Sequence, residues 1–172
     1  MASITNGSDI FDLAAERVAL TSFRCAMAGY DLGDSSCWDD LWTNLVAEGG
    51  AELACRISGS LHFFVRSIRA CRANKVNYFP TTCRRACTDE CLVLSLLSAS
   101  QHNMTETFDF CLKNLLRESE DQLELRTASA ALSTELRASG LTLLPVPLHV
   151  IQSIMPQTCR NCAVAKACSK VH

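Results

Sequence analysis

The run Cys91-Leu92-Val93-Leu94-Ser95-Leu96-Leu97 decides the fold class. It is apolar nearly all round, so as a helix it has no face to offer to water. Such a helix needs cover on every side, which makes it the centre of a bundle. The stretches before and after it supply that cover. Upstream, Leu53, Ile57, Leu61, Phe64 and Ile68 recur at three- and four-residue steps, the buried stripe of a long helix over about residues 51–73. Before that, Ser36 with Asp39 and Asp40 places an acceptor and negative charge where a helix start has unpaired N–H groups. Trp38, Leu41, Trp42 and Leu45 form that helix's apolar face, and Gly49-Gly50 ends it. A first helix starts after Ser8, carries Ile10, Phe11, Ala14, Val18 and Leu20 to about Ala28, and is broken by Gly29 and Gly33.

Downstream, Phe108, Cys111, Leu112, Leu115 and Leu116 mark another helix, with residues 118–126 as a charged continuation. Residues 128–138 extend it or form a further one, closed by Gly140. Pro145 and Pro147 exclude a helix interior, so residues 141–147 read as an extended crossover or short edge strand. Residues 74–80 form a loop, and residues 148–155 a last short helix stopped by Pro156. The expected fold is therefore all-α. A single irregular bundle of about six helices occupies residues 1–157, and a cysteine-rich tail, residues 158–172, packs on it.

A chain of 172 residues can bury a real core as one domain. With 48% hydrophobic and 20% charged residues it is not a disordered chain. A net charge of −2 argues against a general polyanion binder, so nucleic acid is not the expected ligand and a protein partner is. No apolar run reaches the roughly 20 residues of a membrane helix. Residues 1–12 lack the basic and apolar regions of a secretion signal. The expected location is the cytoplasm.

Eleven cysteines are many for a reducing compartment, where thiols stay free or bind metal. About half are expected in the core, where cysteine behaves as a small hydrophobe. The concentration of ligand chemistry lies in the tail, where Cys159, Cys162 and Cys168 are spaced C-x2-C-x5-C and His172 follows. Two thiolates three residues apart sit on one side of a soft metal centre, and a third from the next turn nearly completes its shell. Two completions compete. His172 would give a closed Cys3His zinc site. A distant cysteine would give a four-thiolate iron–sulfur shell, and Cys83, just past the 74–80 loop, is the best placed donor, with Cys87 as an alternative.

The segment from Cys159 to Cys168 resembles the cluster-binding segment of FNR-type oxygen-sensing regulators, which has the same spacing and takes its fourth cysteine from far away. Helix-hairpin-helix DNA glycosylases with a four-iron cluster end on a similar pattern. The resemblance covers about ten residues and none of those families' DNA-binding parts. It implies a 4Fe-4S cluster on Cys83, Cys159, Cys162 and Cys168, and from it a small redox- or oxygen-responsive regulatory module is expected. The other reading is a helical interaction or assembly module whose thiols are packed or bound to structural zinc.

Secondary candidates are few. Arg66, Arg69 and Arg72, with Lys75, Arg84 and Arg85, form a basic row without interleaved aromatic residues. That row is either a solvated face or an anion- or partner-binding patch. His62 reads as half-buried, His102 as a helix-end residue, and His149 as a remote ligand candidate. Trp38 and Trp42 would mark a partner surface if exposed. No nucleophile elbow, phosphate loop, dinucleotide fingerprint or HExxH site occurs, so no catalytic residue is assigned.

Overall fold

The computed structural model describes residues 12–71, 75–116 and 122–155. Its helices are α1 (Ala14–Leu32), α2 (Ser36–Ala70), α3 (Thr88–Gln101), α4 (Thr105–Leu116) and α5 (Leu123–Ala138). A last segment, α6, follows at residues 148–155. No strand occurs among the described residues. The all-α bundle expected from the apolar pattern is what forms.

The centre holds two helices where the sequence pointed to one. Residues Leu92 to Ala99 of α3 are all buried, as anticipated, but so is nearly every residue of α1 from Val18 to Met27. The two run antiparallel. Arg24, well along α1, meets Glu90 near the start of α3, while Glu16 near the start of α1 and Ser98 near the end of α3 both bond Leu144. The α2 helix packs on both α1 and α5, and α4 and α5 pack against α3.

The α2 helix is two arms. Gly49 (φ −161°, ψ 18°) and Gly50 (φ 81°, ψ 178°) leave helical geometry, and the conformation of Gly50 is one that only glycine adopts without strain. In an unbroken helix Trp38 and His62 would lie about 36 Å apart, at 1.5 Å per residue. Their ring centroids are 4.4 Å apart, so the chain doubles back at the two glycines. The expected boundary at Gly49-Gly50 is therefore correct, and its consequence is a tight antiparallel hairpin.

Gly29 corrects an expectation. It does not break α1, which continues to Leu32 and closes at Gly33 with a left-handed cap (φ 65°, ψ 21°). A Cβ on Gly29 would lie 2.5 Å from Cε2 of Trp38. The glycine is a notch in α1 that lets the indole seat against its backbone.

Two irregular segments are held by side chains. The crossover over residues 141–147 is no edge strand: Gln101 accepts from Leu143 N at 2.8 Å and donates to the Leu141 carbonyl at 3.0 Å. Ser98 Oγ donates to the Leu144 carbonyl at 2.6 Å, and Leu144 N donates to Glu16 at 2.6 Å. Residues 75–87 are fixed by a buried ion pair. Arg24 Nε donates to Glu90 Oε1 at 2.6 Å and Nη2 to Oε2 at 3.0 Å, with both side chains fully buried. The guanidinium also donates to the carbonyls of Pro80, Cys83 and Arg85 at 3.2, 2.6 and 2.5 Å. Glu90 accepts from Phe79 N and Cys87 N at 3.0 and 2.8 Å.

Breaking a buried pair by removing one partner costs about 3–5 kcal/mol, and an isolated pair is largely rescued when both are replaced by apolar residues. Here the double replacement also strands the loop's carbonyls and amides, each costing about 1–3 kcal/mol where buried. Urea unfolding of Arg24→Met, Glu90→Leu and the double variant should therefore show little rescue in the double. A double variant near wild-type stability would mean that the pair does not anchor the loop.

Candidate functional site

The tail cysteines Cys159, Cys162 and Cys168, with His172, lie outside the described residues. Their proposed partners on the body do not. Cys83 is half-exposed in the loop that Arg24 anchors, with its own carbonyl among the three that Arg24 holds. Arg84, next to it, pairs with Asp12 at 2.9 Å, and Leu144 bonds Glu16, so this loop and the segment leading into α6 both attach near the start of α1. A half-exposed thiol on a fixed backbone suits a ligand supplied by the body. Cys87 is differently placed. It is buried at the N-cap of α3, and its thiol donates to the Asn77 carbonyl at 3.2 Å. Burial, helped by Glu90, pushes that thiol well above its ordinary range.

Cys25, Cys91 and Cys111 are packing residues, whereas Cys55 is exposed and Cys37 partly so. Burial pushes Cys25 and Cys91 up to about 11 and Cys111 up to about 12, so they stay protonated at neutral pH and fill space as small hydrophobes. Among the described residues no three His, Cys, Asp or Glu side chains are grouped as a metal shell.

A different constellation gathers where the C-terminal turns of α1 meet the α2 hairpin. The rings of Trp38 and His62 stack at 20°. Tyr30 meets both edge-on, with centroids 5.1 and 5.9 Å away, and its hydroxyl shares a hydrogen bond with His62 Nδ1 at 3.1 Å. Arg69 lies over the Tyr30 ring, 5.4 Å from its centroid. Burial and the charge of Arg66, one turn along, keep His62 below its ordinary pKa. Between Arg66 and Arg72 the sequence holds no aromatic residue, although Phe63 and Phe64 precede the row and Tyr78 and Phe79 lie between Lys75 and Arg84. The hairpin brings Trp38, and α1 brings Tyr30, alongside it in space.

Asp31 anchors this end. It receives Arg69, Lys75 Nζ at 2.8 Å and the Tyr78 hydroxyl at 3.0 Å. Burial pushes its carboxyl up, but the bonds from Lys75, Arg69 and Tyr78 outweigh that and hold it below the usual range. Arg66 is exposed, and Arg72 lies outside the described residues. Trp42 is 43% exposed and Leu32 72%. Asp34, Asp39 and Asp40 are exposed at the turn and along the first arm. Of the remaining histidines, His102 bonds the Leu143 carbonyl at 2.7 Å and His149 is exposed on α6. Tyr30 and Asp31 carried no sequence signal, because their partners come from residues 38–78.

The depressed His62 pKa has a sign. The unfolded chain takes up a proton near pH 6.5, the folded chain only at lower pH, so stability falls as pH drops through that window. Melting temperatures of wild type and His62→Gln, measured from about pH 8 down to about pH 5, should converge towards acid as the wild type loses its advantage. Parallel curves would refute this. Comparison with protein-family models, curated proteins and solved structures found no match, so the site rests on its own chemistry.

Proposed function

We propose that this chain is a helical interaction or assembly module whose contact surface is the end of the bundle built by the last turns of α1 and the two arms of α2. The observation that carries it is the gathering of half-exposed Trp38 and His62, exposed Trp42 and exposed Arg66 on the α2 hairpin, with half-exposed Tyr30 of α1 packed against Trp38 and His62. Aromatic residues and arginine are enriched at protein interfaces and their hot spots, the rings because they bury large area at low entropic cost. Asp31 and the Gly29 notch hold these groups in place before any partner arrives, so less ordering is left for association. No described helix is long and apolar enough to cross a membrane, and a cytoplasmic setting fits the thiol content. To test it, a photoreactive residue is placed at Arg66 and, separately, at exposed Thr134 on α5. A discrete adduct in cells from position 66 and none from 134 is expected; adducts from both, or from 134 alone, would sink the reading.

A second reading rests on the tail. The C-x2-C-x5-C spacing of Cys159, Cys162 and Cys168, with Cys83 offered from an anchored loop, supports a thiolate-ligated centre, iron–sulfur by the resemblance or zinc if His172 closes it. Bound there, a 4Fe-4S cluster would supply redox or oxygen sensitivity, and the four cysteines would tie the tail to the body. Metal and sulfide analysis of anaerobically purified protein should find iron and sulfide, lost in Cys162→Ser and reduced in Cys83→Ser. Stoichiometric zinc would select the structural-zinc form, and no metal at all would end this reading.

A further inference from the structure

About two turns along from the contact of Trp38 with Gly29, α1 and the first arm of α2 leave a cleft of about 120 Å³ between them. Both of its ends are bridged. Arg17 of α1 donates to Glu48 of the arm at 3.0 Å, and Asn44 of the arm reaches Cys25 of α1. Between the bridges, buried Val18 and Leu45 form an apolar floor, and Thr21 and Ser22 set two hydroxyls beside it.

Ser22 shows what the cleft lacks. It is 3% exposed, yet its hydroxyl bonds no described residue. Ser67, Ser129 and Thr134, also within helices, return theirs to the carbonyl four residues back. On its inner side lies a gap of about 10 Å³ lined otherwise by apolar side chains such as Phe23, Ile57 and Leu61. A partner from outside the helix therefore reaches Ser22 through the cleft. A buried hydroxyl without a partner is costly, and half-buried Thr21 is equally without one among the described residues.

We propose that this cleft binds a small neutral polyhydroxy molecule of about the size of glycerol, held by Ser22, Thr21 and Asn44. Volume sets the size. A cavity of about 150 Å³ takes one six-carbon ring, so a cleft of about 120 Å³ admits no more than about six heavy atoms. Neutrality follows from the rim. Arg17 and Glu48 already neutralise each other, and no other charged side chain among the described residues lines the cleft. An ionic ligand would lose hydration without gaining a free counter-charge. Water alone is a poor match, because each molecule needs two to four polar partners and the floor of Val18 and Leu45 offers none. A polyol lays its C–H edge on that floor and turns its hydroxyls to Ser22, Thr21 and Asn44, each of which both donates and accepts.

Amide NMR of the full chain, titrated with glycerol, tests the site. Saturable shifts confined to residues 17–25 and 44–48 are expected, with half-saturation on the order of millimolar. Acetate and methylammonium, smaller and charged, should leave those residues unmoved. Ser22→Ala should weaken binding by about tenfold, and Thr21→Leu, which fills the cleft, should abolish it. If Thr21→Leu fails to fold, Ser22→Ala decides, since replacing an unpaired buried hydroxyl by hydrogen costs no native bond. Shifts that grow linearly with glycerol over the whole chain, an equal response to the charged probes, or a Ser22→Ala titration identical to wild type would each overturn the site. The aromatic end of the bundle is tested separately by the position-66 probe, so either site stands or falls without the other.

Discussion

The buried contact between Arg24 and Glu90 is the constraint on which the rest of the structure depends. Two charges taken fully out of water are tolerated only when every remaining donor and acceptor is used. Here they are used on the loop. Arg24 gathers three carbonyls from residues 80–85, and Glu90 gathers the amides of Phe79 and Cys87. The pair thus fixes α1 against α3 and at the same time folds an irregular segment onto both. An isolated pair of this kind contributes little net stability; its value here is that it dictates one conformation for a stretch that has no regular hydrogen bonding of its own.

That anchored loop links the two surfaces with chemical interest. Its beginning, Lys75 and Tyr78, closes on Asp31 at the aromatic end of the bundle. Its later part presents Cys83 and, through Arg84, reaches Asp12 before α1. The aromatic end is equally constrained. Trp38 touches α1 through the Gly29 notch and the second arm through His62, so a single indole ties three helical rods together.

The thiols divide by environment more than by spacing. Cys83, Cys87 and Cys91 look alike in sequence, one every four residues. In the structure Cys87 caps α3 and is buried beside Glu90, Cys91 lies half-buried on that helix, and Cys83 stands half-exposed on the loop before it. Burial keeps Cys87 and Cys91 protonated, which fits packing, whereas Cys83 keeps access to solvent. The regular spacing is a property of the chain; the difference in chemistry comes from what surrounds each sulfur.

What the sequence determined by itself was the set of helices and several of their ends. The all-round apolar run at 91–97, the stripe from Leu53 to Ile68, the stop at Gly49-Gly50 and the short helix at 148–155 follow from side-chain periodicity and from glycine and proline stereochemistry, which act over neighbouring residues. Tertiary structure alone decided that α1 is as buried as α3, that Gly29 is a notch, that residues 141–147 are bonded by side chains of α3 and α1, and that the basic row has aromatic company. Each of these depends on partners tens of residues away. Arg24 is the clearest case: in sequence it is one more charge on a helix, and only folding surrounds it with a carboxylate and three carbonyls that make it the best-buried cation of the described residues. Local preference is written in adjacent residues, whereas desolvation and pairing are set by whatever the folded chain brings within a few ångströms.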